Sequence, residues 1–173
     1  IGTSGGNFLL FSALFEPGDR VLLETPVYDP LPAAVRQVGA DVDFLPRKLE
    51  NRWQIDPDDL RRKLSSNNYR AFLITNLHNP TGVLSDNENL KQLAVIMAEK
   101  GGYLIVDEVY LEFLFGEGQG TSYKLAENIV VTSSLTKAYG LGPLRAGWIF
   151  AHDDIADDIR SVFNLVFGTT PAL

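Results

Sequence analysis

The stretch from Val131 to Trp148, VTSSLTKAYGLGPLRAGW, holds the side chains best suited to covalent chemistry. A β-branched run ends at Thr132, two serines follow, and Lys137 then sits in a Gly-punctuated loop with Arg145 eight residues later. A lysine at a strand terminus beside another cation can have its pKa lowered, which turns the amine into a nucleophile towards an aldehyde. An arginine suits a bidentate contact to phosphate. An aldehyde and a phosphate on one small molecule describe pyridoxal phosphate, PLP. Taken alone, the stretch is weak evidence, because most isolated lysines in such a position are ordinary surface residues after a buried strand.

The elements that must position these groups alternate in type. Ile1-Gly2-Thr3 reads as the stub of a strand leading through Ser4-Gly5-Gly6-Asn7 into an apolar helix, Phe8 to Phe15. A serine and two glycines before a helix suit the approach of an anion to free backbone N–H groups, or simply a flexible loop. Strands are expected at Arg20–Glu24, Val42–Leu45, Arg70–Thr75, Tyr103–Val106, Ile129–Thr132 and Gly147–Ala151. Helices are expected at Pro30–Val38, Asp56–Leu64, Ser85–Lys100 and Asp153–Val166. Asn51 and Gly116 to Gly120 read as surface loops. Alternating strands and helices, with central strands continuously apolar, predict an α/β fold with a mostly parallel central sheet and helices on both faces.

Composition narrows the function. The chain has 173 residues, 45% hydrophobic and 21% charged, which suits one globular domain. A formal net charge of −7 offers no basic footprint for nucleic acid. No apolar run approaches the ~20 residues that span a bilayer, and no export signal is visible, so neither a nucleic-acid nor a membrane partner is expected. With no cysteine there is no disulfide, thiolate zinc site or thiol nucleophile, in keeping with a cytoplasmic enzyme, and no metal centre is expected. The chain begins at Ile1 without an initiator methionine and reads as a fragment.

In open α/β sheets ligands bind beyond the carboxyl ends of the parallel strands. After successive strands lie Gly5, Gly6 and Asn7; Tyr28; Asn79 within HNPTG; Asp107, Glu108 and Tyr110; and Ser133, Ser134 and Lys137. The strings SGGN, PVY, HNPTG, VDEVY, SSLTK and GPLRAGW, in this order and spacing over nearly the whole chain, resemble the class I/II aminotransferases, which are fold-type I PLP enzymes.

The resemblance implies that residues 1–173 are the large, cofactor-binding domain, with the N-terminal segment and the C-terminal small domain absent. It implies that Lys137 is the Schiff-base lysine and proton shuttle, and that Asp107 pairs with the pyridine nitrogen. Asn79 and Tyr110 would bond the cofactor's phenolate oxygen, and Tyr28 would stack on the ring. Gly5, Gly6, Asn7, Ser134 and Arg145 would form the phosphate cup, with Ser133 and Thr136 as less certain members. His78 is expected to be positional, His152 a surface residue, and Glu108 turned away from the ring.

The implied activity is transfer of an amino group from an amino acid to a 2-oxo acid, in a protein that is homodimeric at full length. Two alternatives stay open. A PLP-dependent β-lyase or decarboxylase could use the same residues, and an aminotransferase-like sensor domain of a transcription regulator could bind PLP without catalysis.

Overall fold

Four strands carry almost nothing but apolar and β-branched residues, and they lie side by side in the middle of one sheet. In the computed structural model, which describes residues 2–114 and 118–168, the strands are β1 (Arg20–Thr25), β2 (Asp41–Pro46), β3 (Ala71–Thr75), β4 (Tyr103–Asp107), β5 (Ile129–Ser134) and β6 (Gly147–Phe150). Every residue of β3 and of β5 is buried, as expected of strands covered on both faces. The sheet order is β2-β1-β3-β4-β5-β6. All neighbours run parallel except β5 and β6, which are antiparallel. The mostly parallel sheet expected from the sequence is thus observed.

The helices are α1 (Gly2–Leu14), α2 (Pro30–Gln37), α3 (Pro57–Ser66), α4 (Asn87–Ala98) and α5 (Asp153–Phe167). Local chemistry sets several starts. Asp56 caps α3, its carboxylate accepting from the Asp58 N–H at 2.9 Å, and Pro57 follows at the first helical position. Asp86 caps α4 through the Asn89 N–H at 2.8 Å. Asn51, expected in a loop, ends a short 3-10 helix (Leu49–Asn51), and of the expected loop at Gly116 to Gly120 only Gly118 to Gly120 fall among the described residues.

Two cores lie on opposite faces of the sheet. Leu10, Phe11, Leu14, Val35 and Ile155 join α1, α2 and α5 to one face through Leu23, Leu73 and Ile105. Leu60, Leu64, Leu90, Leu93 and Met97 join α3 and α4 to the other through Leu22, Phe72 and Val106. The direction of winding reverses after β2, because β3 returns to the far side of β1. That reversal opens a crevice beyond the carboxyl ends of β1 and β3.

One expectation is overturned. Gly2 and Thr3 are not a strand stub but the first turn of α1, so the Ser4-Gly5-Gly6-Asn7 string lies within the helix. The Gly2 N–H donates to the Arg145 carbonyl at 2.6 Å, which ties the start of α1 to the segment entering β6. Two glycines permit this approach. Gly2 has φ +65°, and a Cβ on Gly147 would lie 2.9 Å from the Gly2 carbonyl carbon and from the Ser133 oxygen.

Candidate active site

Asp107 is the last residue of β4, flanked by β3 and β5, and only 5% exposed. Its Oδ1 accepts from the Val109 N–H at 3.1 Å and its Oδ2 accepts from the Asn7 amide at 2.9 Å. Burial pushes the carboxyl up to about 6, more than these two hydrogen bonds pull it down, and the Glu108 and Glu24 charges add to the rise. Such a group gains from a cation or an acidic N–H placed against its free lone pairs.

Around it opens a cleft of about 340 Å³. Tyr28, Asn79, Asp107, Tyr110, Lys137 and Arg145 all line it, as do Thr3, Ser4, Asn7, Thr75 and Thr136. Each lies at or beyond a strand's carboxyl end or in the first half of α1. Lys137 is exposed in the turn after β5, with Nζ 5.7 Å from the centroid of the Tyr110 ring. Tyr110 in turn stacks on Phe113, with ring centroids 6.2 Å apart. Tyr28 is half exposed and presents an aromatic face at the rim. Asn79 is held by its backbone, whose N–H donates to the Thr75 hydroxyl at 3.0 Å.

At the opposite end Arg145 lies in the left-handed region, φ +50°, with its guanidinium at the start of α1. A Cβ on Gly2 would come 3.0 Å from Arg145 Nη2. The first-turn N–H groups of Thr3 and Ser4 have no intrahelical acceptor. Those two amides, the guanidinium and the Thr136 hydroxyl make a concentration of donors fit for an anion.

The cup differs in membership from the one expected. The backbone N–H groups of Gly6 and Asn7 fall within the helical ladder of α1 and are already used. Gly5 and Gly6 do not line the cleft, and Gly6 faces Ile149 instead. Asn7 does reach the cleft, but by its side chain and towards Asp107. Ser134 is buried at the end of β5, where its hydroxyl accepts from Thr3 Oγ1 at 2.7 Å and from the Thr136 N–H at 3.3 Å. It supports the rim from behind. Ser133 donates to the Glu108 carbonyl at 3.2 Å.

Glu108 turns away from the cleft, its carboxylate accepting from the Ser122 N–H at 2.8 Å and hydroxyl at 2.6 Å. Burial pushes its carboxyl up as well. His152 is exposed and precedes α5. Ser4, expected near an anion as part of the Ser-Gly-Gly string, does line the cleft, whereas Thr3 and Thr75 carry no signal in the sequence that marks them for it.

A lysine amine, a buried carboxylate, an aromatic face and a cluster of anion donors in one cleft suit a planar, phosphorylated carbonyl compound. Known proteins agree. Residues 1–173 match the family described as aminotransferase class I and II. A probable aspartate/prephenate aminotransferase of Aquifex aeolicus is 30% identical over 160 residues, covering 90% of this chain and 40% of that protein. A histidinol-phosphate aminotransferase of Buchnera aphidicola is 30% identical over 168 residues, covering 94% and 44%.

Among solved structures, a PLP-dependent aminotransferase from Streptococcus suis superposes with a TM-score of 0.86 at 32% identity, covering 96% of this chain and 44% of that one. Aspartate aminotransferase from Thermus thermophilus, with maleate, gives 0.90 at 27% identity, covering 99% and 44%. The chain thus spans less than half the length of these relatives. A family match along the whole sequence, together with the shared fold, makes this chain a member of the class I and II aminotransferases.

Proposed function

We propose that the cleft holds pyridoxal 5′-phosphate and that the protein is an aminotransferase, moving the amino group of an amino acid to a 2-oxo acid. The observation that carries this reading is the buried Asp107 carboxylate, oriented by Asn7, in the same cleft as Lys137 and the Arg145 cup. Two features of the protein fit the cofactor. The Asn7 Oδ1 is buried without a partner beside Asp107. The absence of a side chain at Gly2 leaves room for the Arg145 guanidinium over the first turn of α1.

When bound, the cofactor supplies an electron sink for the bonds at the substrate's α-carbon. The residues do the rest. Asp107 holds the proton on the ring nitrogen, and Asn7 keeps that carboxylate aimed. Asn79 and Tyr110 donate to the ring hydroxyl oxygen, and Tyr28 covers one ring face. Arg145, Thr136 and the amides of Thr3 and Ser4 bind the phosphate; Gly5, Gly6 and Ser134 shape and support that end. Lys137 would hold the cofactor at its aldehyde carbon through Nζ, with water as the leaving group, and its amine, once freed, would carry a proton to and from the substrate α-carbon.

The same reading makes residues 1–173 the large domain of a longer, homodimeric, cytoplasmic enzyme. The net charge of −7 argues against nucleic acid as a partner. Among the described residues no helix is long and apolar enough to cross a membrane.

The test is an absorbance spectrum with added PLP, before and after borohydride, in the wild type and in Lys137→Ala. A visible band that reduction fixes onto Lys137 is the expected result. A folded protein that gives the same band, equally fixed, in both forms would remove Lys137 from its role.

A further inference from the structure

One buried side chain, itself outside the cleft, joins the loop that carries Tyr28 to the loop that carries Asn79. His78 is 1% exposed and uses both ring nitrogens. Nε2 lies 2.9 Å from the Pro26 carbonyl oxygen, and Nδ1 lies 2.7 Å from the Thr81 hydroxyl. A carbonyl only accepts, so Nε2 carries the hydrogen and Nδ1 accepts from Thr81. Burial holds the ring's pKa below its usual value despite the nearby Glu24 charge, which maintains this neutral form at physiological pH.

The Asn79 side of this bridge is anchored to the sheet. The Asn79 N–H donates to Thr75 Oγ1 at 3.0 Å, and the Thr75 hydroxyl donates to Glu24 Oε1 at 2.8 Å. Glu24 in turn is held by Arg47 Nε at 2.7 Å, with both side chains fully buried. The His78 N–H closes its own loop onto the Val83 carbonyl at 2.9 Å. Asn79 is thereby fixed to the ends of β1 and β3, and the imidazole extends that framework to Pro26, two residues before Tyr28.

We propose that His78 is a positioning residue for the cofactor, setting the Tyr28 ring face against the Asn79 amide. The inference rests on the cofactor reading above. It follows that stacking and the ring-hydroxyl contact are coupled through a side chain that touches no cofactor. Removing the imidazole leaves the Asn79 backbone anchored by Thr75 but releases the Tyr28 loop.

The test is a double-mutant cycle on PLP affinity, read by titrating the visible band in the intact protein. His78→Leu is expected to weaken binding about tenfold when Tyr28 is present, the worth of roughly one buried hydrogen bond. In the Tyr28→Ala background the same change is expected to cost no more than about twofold. His78→Gln, whose amide can still donate to Pro26, is expected to recover most of the affinity.

Thermal melting of the cofactor-free forms establishes folding. If His78→Leu does not fold, Thr81→Val takes its place in the cycle, with a smaller loss that again vanishes without Tyr28. Equal losses in both backgrounds overturn the inference and leave His78 a general structural residue. A wild type that gives no band overturns the cofactor reading and the inference with it, an outcome distinct from the first.

Discussion

Asp107 sits where two opposing influences meet. Burial raises its pKa, while Asn7 and the Val109 N–H stabilise the ionised form without fully compensating. The folded protein keeps this proton up to about pH 6, whereas the unfolded chain releases it near 3.8, so folding takes up a proton between those values. Stability of the cofactor-free protein therefore falls as pH rises through that window. Asp107→Asn is expected to raise the stability of that form above pH 7 by up to about 3 kcal/mol, a gain absent at pH 3.5, while abolishing tight PLP binding. Urea denaturation at both pH values checks the sign. A variant less stable than wild type at pH 8 would contradict the burial argument.

Elements matter through the ends they bring together. α1 serves the site because its first turn, with Thr3 and Ser4, is held against the segment entering β6, and that contact has no room for a side chain. A Cβ at Gly147 would meet backbone on two sides, the Gly2 carbonyl carbon and the Ser133 oxygen, both at 2.9 Å. Neither can rotate away as a flexible side chain would. Gly147→Ala is expected to cost about 1 to 3 kcal/mol, seen as a fall in Tm of roughly 2 to 10 °C. PLP affinity should drop as well, because the displaced turn carries phosphate donors. An unchanged Tm would show that α1 can shift freely.

At the scale of the molecule, the reversal of winding between β1 and β3 concentrates polar side chains inside the sheet's upper edge. Glu24 lies one residue before the end of β1, Arg47 follows β2 and Thr75 ends β3, and the carboxylate at their centre accepts from Arg47 Nε at 2.7 Å, the Thr75 N–H at 2.6 Å and the Thr75 hydroxyl at 2.8 Å. Arg47 also donates to the Trp53 carbonyl at 2.7 Å. A buried charge deprived of its partner is far costlier than the pair is stabilising. Arg47→Met is expected to lose about 3 to 5 kcal/mol, and Glu24→Gln combined with Arg47→Met to recover much of it. Chemical denaturation of the single and double variants measures this. No recovery in the double variant would mean that Arg47 acts by packing and not by charge.

Much of this was legible in the residues by themselves. The apolar runs and the breaks between them specify local elements, because hydrophobic period acts over a few residues. A parallel sheet then sends the residues after each strand to one edge, which is why Tyr28, Asn79, Asp107, Tyr110, Lys137 and Arg145 all line one cleft. Pairings between distant segments were decided only by the tertiary structure.

Asn7 lies 100 positions from Asp107, and nothing in its own neighbourhood says that its amide, not its N–H, serves the site. The start of α1 at Gly2 moved the free amides to Thr3 and Ser4, and the full length of β5 drew Ser134 into the sheet. The Glu24–Arg47 pair exists because β1 and β2 are neighbours, and the His78 bridge because the strand order also places β3 beside β1. Buried polar groups must find partners within hydrogen-bond reach, and only the folded chain determines which groups those are.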